Sequence, residues 1–251
     1  MDIRQLALQA WEHHIKLQDS DFIVKPSVPI LYFGDLTRYL NSRIKIVTVG
    51  LNPSDAEFPV ASPFQRFPEA HRISSCFDPN VYLRALNDYF RIAPYSKWFN
   101  MSFEKILNGL DASFYDGANN TALHTDICSV LATSPTWSGL AAKDRTSLEL
   151  EGIRVWHNLI KVLQPDVIII SVAKHHLNKL SSPILESWRT VYQVAKAKPY
   201  ELRRLRINVT DQLPTVVYWG QAAQTPFGSI SYQEKVRMGA FIKEDRNSDE
   251  R

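Results

Sequence analysis

Three short stretches of the chain place hydrogen-bonding side chains beside glycine or proline, or within an apolar run. They are Gly50-Leu51-Asn52-Pro53-Ser54, His124-Thr125-Asp126 and residues 224–231. In the first stretch, Gly50 lets a backbone or ligand approach closely and Pro53 fixes the turn, so that Asn52 is presented rigidly. A turn in which the Asn52 side chain caps its own backbone explains this stretch equally well.

The second and third stretches also have two interpretations each. Asp126 follows an apolar run and is costly to bury without a partner, so it either caps the next segment, meets an arginine or faces a ligand. The turn at 224–231 has Phe227 and Ile230 at what we expect to be an exposed tip. Ser229 or Ser231 can cap a following helix, and this role is compatible with a functional one.

Hydrophobic periodicity predicts the elements that position these stretches. Apolar runs predict buried strands at 44–50, 122–130, 164–173 and 213–220, with two further strands at 188–195 and 201–209. Helical spacing predicts helices at 3–17, 35–42, 79–92, 96–109, 147–163, 173–180 and 231–244. This alternation predicts an α/β fold, a three-layer α/β/α sandwich around a mostly parallel sheet. Ligands of such sheets bind at the carboxyl ends of the strands, where all three stretches are expected to lie.

The chain is expected to form one domain over residues 1–251. In this interpretation a helical segment at 1–43 packs on the domain, and the charged tail at 244–251 is frayed. A loop at 51–77 is rich in proline, serine and phenylalanine, and loops of this length inside a compact domain are usually functional.

Composition excludes several classes of protein. The 251 residues are 45% hydrophobic and 22% charged, which excludes wholesale disorder, and a net charge of +3 is compatible with a polyanionic partner. Two cysteines, Cys76 and Cys128, exclude a disulfide framework and a four-cysteine cluster within the chain. The N-terminus lacks the layout of a signal peptide, and no apolar run approaches the roughly 20 residues that span a bilayer. We therefore expect a cytoplasmic protein without membrane partners.

The three motifs, in this order along the chain, resemble the uracil-DNA glycosylase superfamily. The resemblance rests on GLNPS after a strand, HTD on a middle strand and TPFGSIS before the last helix, and it covers residues 44–240. It is nearest the mismatch-specific and single-strand-selective branches. It implies a uracil-DNA glycosylase-like fold and a monofunctional DNA glycosylase, which flips out a pyrimidine and hydrolyses its N-glycosidic bond to leave an abasic site. The expected enzyme is a monomer that needs no metal and no cofactor.

The resemblance also implies roles for individual residues. Asn52 corresponds to the position that holds the attacking water, Thr225 to the position that faces the base O2, and Asp55 or Glu57 is an accessory base. The expected catalytic residues are Asn52, Asp55 and Thr225. The expected base-binding residues are Gly50, Leu51, Ser54, Phe64, Phe67 and Asp126, with Phe64 or Phe67 stacking on the base. The expected DNA-binding residues are Pro226, Phe227, Gly228, Ser229 and Ile230, with Phe227 or Ile230 as an apolar wedge.

Three departures from the family pattern bear on the substrate. Ser54 replaces a tyrosine that blocks the 5-position of the base, so it leaves room for a 5-substituent. Asp126 replaces an asparagine, and an ionised carboxylate only accepts hydrogen bonds, which matches the amino group of cytosine. Thr225 replaces a histidine or asparagine and is a weaker donor to the leaving base. These departures predict a 5-modified cytosine as the substrate, which would suit a defence against viruses that modify their DNA.

Alternative functions remain at this point. A protonated Asp126 can still read uracil, so a uracil or mismatched-thymine glycosylase of base-excision repair is one alternative. A module that binds a modified base without cutting is another, and a nucleotide-handling hydrolase is disfavoured because no glycine-rich phosphate loop follows the first strand. A basic run is either a solvated edge or a phosphate-binding surface. It comprises Lys196, Lys198, Arg203, Arg204 and Arg206.

Overall fold

The structure is a computed structural model that describes residues 1–73, 77–210 and 214–249. It confirms the predicted fold class, a three-layer α/β/α arrangement with a mostly parallel central sheet flanked by helices. The chain divides into two compact units. The first comprises residues 1–37, 51–95 and 124–163, and the second comprises 38–50, 96–123 and 164–251. Cys76 lies outside the described residues.

The described residues contain helices and strands close to the predicted ones. The α-helices are α1 (Ile3–Leu17), α2 (Leu36–Asn41), α3 (Pro79–Asn87), α4 (Tyr89–Ile92), α5 (Ser96–Met101), α6 (Glu104–Gly109), α7 (Ala142–Leu163) and α8 (Tyr232–Asp249). The strands are β1 (Ile46–Gly50), β2 (Ala112–Ser113), β3 (Asn120–Asp126), β4 (Val167–Ile170), β5 (Ile184–Val194), β6 (Tyr200–Ile207) and β7 (Thr215–Gly220). Short 3₁₀ helices occur at Asp55–Glu57, Pro68–Arg72, Trp137–Gly139 and Lys174–Lys179.

The described residues form a seven-stranded sheet in the order β2-β3-β1-β4-β7-β6-β5. The β1–β4, β4–β7 and β2–β3 pairs are parallel, whereas β6 runs antiparallel to both β7 and β5. Every residue of β1, β4 and β7 is buried. Burial on both faces explains why these strands read as continuous apolar runs.

In the first unit, α1 begins with a capping box and packs on α7 and α3. The Asp2 carboxylate accepts hydrogen bonds from the backbone N–H groups of Arg4 and Gln5, while the Gln5 side chain accepts one from the Asp2 N–H. Gln9 on α1 donates to Glu151 on α7 over 2.8 Å. These contacts attach the N-terminal helix to the unit.

In the second unit, α6 and α8 approach each other through glycines. A Cβ atom on Gly109 would lie 2.2 Å from the Val236 carbonyl oxygen, and one on Gly239 would lie 2.0 Å from that of Ile106. Only glycine permits such a short distance between the helix backbones.

Two predicted helices are each interrupted, and the last helix is longer than predicted. The 79–92 helix breaks at Asp88, and the 96–109 helix breaks at Ser102 and Phe103, where the Ser102 hydroxyl and the Ser102 backbone N–H both donate to the Trp98 carbonyl. Residues 244–249 of the tail that we expect to fray are helical, because α8 continues to Asp249. Asp245 accepts a hydrogen bond from Tyr218 on β7 over 2.6 Å, and this contact holds the last turns of the helix. None of the helices in the described ranges has the length and apolar character needed to cross a membrane.

Candidate functional site

The segment after β1 is attached to the segment after β3 by one backbone carbonyl. The Leu51 carbonyl oxygen accepts hydrogen bonds from the backbone N–H groups of Cys128 at 2.8 Å and Ser129 at 3.3 Å. Asn52 follows Leu51, and Asp126 precedes Cys128 by two residues. The structure therefore brings the predicted water-positioning residue and the predicted base-reading residue together in the first unit, while Gly50 ends β1 in the second unit.

The Asn52 amide has a fixed orientation. Its Nδ2 group donates to the Thr133 hydroxyl at 2.8 Å and to the Pro53 carbonyl oxygen at 2.8 Å. The Thr133 hydroxyl donates its own proton to the Pro135 carbonyl oxygen at 2.8 Å, so it can only accept from Asn52. Both amide hydrogens are therefore used, and no donor from the described residues reaches Oδ1. That oxygen is an immobilised acceptor that can orient a water molecule.

Asp126 is a buried carboxylate with few partners. The residue is 5% exposed, and the His124 Nε2 lies 3.8 Å from the Asp126 Oδ1. Within the described ranges no hydrogen bond to either oxygen occurs. Neither oxygen is a fully buried atom without a partner, so the carboxylate reaches solvent and can accept a hydrogen bond from water or from a ligand.

The short 3₁₀ turn at Asp55–Glu57 directs its two acids to different environments. Ser54 caps the turn by accepting a hydrogen bond from the Ala56 N–H at 3.3 Å. Asp55 is exposed and accepts a hydrogen bond from the Ser134 hydroxyl at 3.3 Å. Glu57 points into the unit and is 6% exposed. The structure thus favours Glu57 over the predicted Asp55 as the acid or base of this turn.

Glu57 has an unusual environment for a carboxyl group. Its Oε2 accepts a hydrogen bond from the Tyr89 hydroxyl at 2.7 Å and lies 3.8 Å from the Arg66 Nε. Burial, with a smaller contribution from the charge of Asp126, raises the pKa of Glu57 from its ordinary value to about 7 against the opposing effects of Tyr89 and Arg66. A carboxyl group with this pKa can hold or release a proton near neutral pH.

Aromatic rings pack around the two acids. Phe33 contacts both Tyr89, with ring centroids 4.8 Å apart, and His124, at 5.6 Å. Phe67 stacks on Phe58 at 5.5 Å and also contacts Tyr89 at 5.2 Å. These contacts form an aromatic cluster beside Glu57 and Asp126 that contributes to the burial of both residues.

The two phenylalanines predicted to stack on a base differ in exposure. Phe67 is 0% exposed, so the prediction that it stacks on a base is wrong, because packing against Phe58 and Tyr89 already covers both of its faces. Phe64 is partly exposed and meets Phe58 and His71 edge to face. Phe64 is therefore the member of the pair with ring surface available for stacking.

Sequence reasoning missed Arg66, Tyr89 and Thr133. Arg66 donates to the Ala56 carbonyl at 3.1 Å and to that of Ala93, and its guanidinium lies over the Tyr95 ring at 5.4 Å. The Tyr89 hydroxyl accepts from the Tyr95 N–H at 2.9 Å. These residues come from separate segments with no local motif, and the only available signal was an arginine within the phenylalanine-rich loop.

The turn at 224–231 belongs to the second unit and is closely packed. The Gly228 N–H donates to the Thr225 carbonyl at 3.0 Å, and a Cβ atom at Gly228 would lie 2.5 Å from the Thr225 hydroxyl oxygen. Ser231 caps α8 by accepting from the Glu234 N–H at 3.2 Å, which confirms the capping interpretation for Ser231. Thr225 is partly exposed, Pro226 is buried, and Gly228 and Ser229 are exposed.

The predicted apolar wedge is not at an exposed tip. Phe227 is 0% exposed, and its ring packs on Phe103 at 5.8 Å and Tyr200 at 6.4 Å. Its backbone N–H donates to the Ser171 hydroxyl at 2.9 Å, with φ at 52°. Ile230 is buried as well. The prediction of an exposed tip is wrong for both residues, because burying a large apolar side chain stabilises the unit by about 1.5–3 kcal/mol.

The basic run is largely engaged within the second unit. Arg204 is buried, with its Nε 3.3 Å from Asp245 and its guanidinium 3.6 Å from Glu186, while Arg206 donates to Glu186 at 2.7 Å. Lys196 donates to the Ser229 carbonyl at 2.7 Å. Arg204 is therefore unavailable for phosphate contacts, and Lys196 and Lys198 are the exposed cations of the run.

Comparisons of the chain with protein-family models and with curated protein sequences give no match in either case.

Proposed function

We propose that the protein is a monofunctional DNA glycosylase that hydrolyses the N-glycosidic bond of a pyrimidine nucleotide. The observation that carries this proposal is the Asn52 amide, whose hydrogens are both used by Thr133 and Pro53 and whose Oδ1 is left as a fixed acceptor. It lies in the same unit as the buried Asp126 carboxylate. A water position and a base-reading acid are the two groups that this reaction needs.

The reaction passes through an oxocarbenium-like sugar, which needs a positioned water more than a strong nucleophile. Oδ1 of Asn52 accepts a hydrogen bond from the water and directs its oxygen towards C1′. An amide cannot take up the proton of the water, so this proton passes to a carboxylate or to solvent. The product is an abasic site and a free base.

The proposed substrate is a cytosine-type base with a 5-substituent. The ionised Asp126 carboxylate accepts a hydrogen bond from the exocyclic amino group, and uracil offers an oxygen at that position. Ser54 is small, partly exposed and engaged in capping the 3₁₀ turn, so it presents no ring against the 5-position. A 5-modified cytosine is the pyrimidine that satisfies both features, which is compatible with a role in defence against viruses with modified DNA.

The burial of Phe227 and Ile230 favours DNA in which the base is already unpaired. Extruding a base from a duplex costs a few kcal/mol, and an inserted apolar side chain normally offsets this cost. Here the exposed residues of the turn are Gly228 and Ser229, which offer little apolar surface. We expect faster excision from single-stranded than from duplex oligonucleotides.

The test is base release from oligonucleotides that contain uracil, mismatched thymine, cytosine or 5-substituted cytosines, each in single-stranded and duplex form. Wild-type protein should release a 5-substituted cytosine. Asn52→Ala should lose on the order of 10²–10³ in turnover while keeping most of its DNA affinity, in line with the loss of one preorganised polar group. The matched control is Asn80→Ala, an exposed asparagine of the same unit, which should keep wild-type turnover.

Three outcomes would change the proposal. Rapid release of uracil with no release of any cytosine would overturn the substrate assignment and favour a repair glycosylase. Binding of modified DNA without release of any base would favour the non-catalytic module. Full turnover by Asn52→Ala would remove the assigned role of Asn52.

A further inference from the structure

Glu57 and Asp126 form a pair of buried acids with unequal surroundings. Glu57 has one hydrogen-bond donor, Tyr89, which uses Oε2, and among the described residues no group donates to its Oε1. Asp126 has the imidazole of His124 at 3.8 Å and no hydrogen bond. Both residues are at least nine-tenths buried, but neither is among the described residues with a fully buried polar atom that lacks a partner, so the carboxyl oxygens without a protein donor reach solvent. Accessible acceptors of this kind can receive a hydrogen bond from a ligand.

The groups that face Glu57 determine which acid of the pair carries a proton. Tyr89 on α4 donates to it, Arg66 in the loop lies near Oε2, and Asp126 at the end of β3 acts on it electrostatically. His124 lies beside Asp126, with its Nε2 3.8 Å from the Asp126 Oδ1. Burial, with a smaller contribution from the charge of Asp126, raises the pKa of Glu57 to about 7, so that Glu57 can hold a proton near neutral pH.

We propose that protonated Glu57 donates a hydrogen bond to an unprotonated ring nitrogen of the bound base and transfers this proton as the base departs, while ionised Asp126 accepts from the exocyclic amino group beside it. This inference rests on the proposed function and assigns the proton donor of that reaction. Together the two acids offer one donor and one acceptor, which is the complement of a cytosine-type edge. A uracil-type edge has N–H at the ring position, and this N–H opposes the Glu57 donor.

The proposed step balances in atoms and electrons. The C1′–N1 bond breaks and its electron pair stays with the base, which becomes neutral by taking the Glu57 proton at the ring nitrogen. Water held by Asn52 adds through its oxygen to C1′ and loses a proton, which returns to the Glu57 carboxylate or passes to solvent. The net change consumes one water and yields the abasic sugar and the neutral base. Cytosine is a poor leaving group as an anion, so this proton transfer lowers the barrier most for cytosine-type bases.

The exposed neighbour Asp55 is the competing assignment. Asp55 lies in the same 3₁₀ turn but is open to solvent and accepts a hydrogen bond from Ser134. Burial raises the pKa of Glu57, whereas Asp55 does not have this burial. The two assignments are therefore distinguished by which variant, Glu57→Gln or Asp55→Asn, changes the pH profile of the reaction.

The experiment compares single-turnover rates between pH 5 and 9 for wild-type protein and three isosteric variants, Glu57→Gln, Asp55→Asn and Glu69→Gln. Wild-type excision of a cytosine-type base should fall as pH rises through about 7, because Glu57 loses its proton there. Glu57→Gln should lower the rate at pH 6 on the order of 10²-fold and flatten the alkaline limb, with a smaller effect on uracil. Glu69→Gln, a carboxyl change at the Arg84 ion pair of the same unit, should keep the wild-type profile.

Tyr89→Phe provides a second test that does not depend on how Glu57→Gln folds. The Tyr89 hydrogen bond lowers the pKa of Glu57, so its removal should move the alkaline limb to higher pH. A merely structural role of Tyr89 would lower the rate without moving the limb. An unchanged profile in Glu57→Gln, or a flattened limb in Asp55→Asn in its place, would overturn the proposal.

Infrared difference spectra between wild type and Glu57→Gln separate this inference from the proposed function. A protonated carboxyl band at pH 6 that disappears around pH 7 would support a proton on Glu57 even if no oligonucleotide is cut, in which case the proposed function fails. A band that disappears near pH 4.5, the ordinary value for glutamate, would overturn the inference even in an active enzyme.

Discussion

Two glutamates are buried to nearly the same extent but differ in the hydrogen bonds that their carboxylates accept. Glu57 in the first unit is 6% exposed, and Glu104 on α6 in the second unit is 7% exposed. Glu104 accepts hydrogen bonds at Oε1 from Ser113 at 2.6 Å and Asn108 at 2.8 Å, and at Oε2 from the Phe114 N–H at 3.2 Å. Glu57 has Tyr89 on one oxygen and no donor from the described residues on the other.

This difference shows that two acids buried to the same extent can differ in how many donors the protein gives them. Burial raises the pKa of both groups, but three hydrogen bonds oppose the rise at Glu104. The donors of Glu104 join α6 to β2, so its carboxylate holds a turn of the chain. The second oxygen of Glu57 has no donor from the described residues but is not fully buried, so it is open to water or to a ligand.

The largest effect on stability is expected from replacing Glu104, and it distinguishes Glu104 from Glu57. Glu104→Ala leaves Ser113, Asn108 and the Phe114 N–H without their acceptor and should lower the free energy of unfolding by about 3–4 kcal/mol. Urea unfolding at pH 7 measures this loss, with the partly exposed Glu69→Ala as the control. A loss below about 1 kcal/mol would show that the hydrogen bonds of Glu104 do not stabilise the fold, and the difference between Glu104 and Glu57 would then disappear.

The pH dependence of stability should reveal the proton on Glu57. Because the folded-state pKa is about 7 and the ordinary value is 4.5, the folded protein binds the proton more tightly, and stability is lost as pH rises from 4.5 through 7. The loss is about 3 kcal/mol by linkage and should be missing in Glu57→Gln. Unfolding measured at pH 5 and pH 8 tests this, and equal pH responses of the two proteins would contradict it.

A buried histidine should make stability depend on pH in the opposite direction. Burial, with a smaller contribution from His13, lowers the pKa of His14 on α1 from 6.5 to about 4. The folded protein therefore binds this proton less tightly than the unfolded chain, and stability falls as pH drops from 6.5 towards 4. His14→Gln should recover on the order of 2 kcal/mol at pH 4.5, whereas the exposed His175→Gln should recover nothing measurable. An identical acid response in both variants would contradict the assignment.

The smallest effect on the free energy of unfolding is expected for Asp55, two positions before Glu57. Asp55→Asn alters an exposed carboxyl group and should change the free energy of unfolding by no more than about 0.5 kcal/mol at any pH from 5 to 8. The same unfolding series measures it. A pH-dependent change as large as that of Glu57→Gln would contradict the assignment of the proton to Glu57.

The parts of the fold that follow from local chemistry could be predicted from the sequence. The bounds of α1 follow from its amphipathic spacing and the Asp2 cap, and the buried strands β1, β4 and β7 follow from their apolar runs. The breaks at Asp88 and Ser102 and the extension of α8 to Asp249 depend on contacts with other segments, which no local pattern encodes.

The residues of the candidate site also divide into those that a local motif predicts and those that depend on distant contacts. The placement of Asn52 and Asp126 at the ends of strands was predictable because a local motif carries each of them. Glu57 was recognised only as an accessory group, since its burial depends on Tyr89 and Arg66 from elsewhere in the chain. The roles of Phe67 and Phe227 were wrong because hydrophobicity alone does not indicate whether a ring faces the core or a ligand.

The two amide donors on the Leu51 carbonyl have a consequence for protein engineering. Since both come from the main chain, exchanging the side chains at positions 51, 128 or 129 leaves these hydrogen bonds in place. Directed evolution of base preference can therefore randomise Ser54 and Phe64 while the spacing between Asn52 and Asp126 is preserved by the backbone. A proline at position 128 removes the shorter of the two donors and is the one replacement that such a library should omit there.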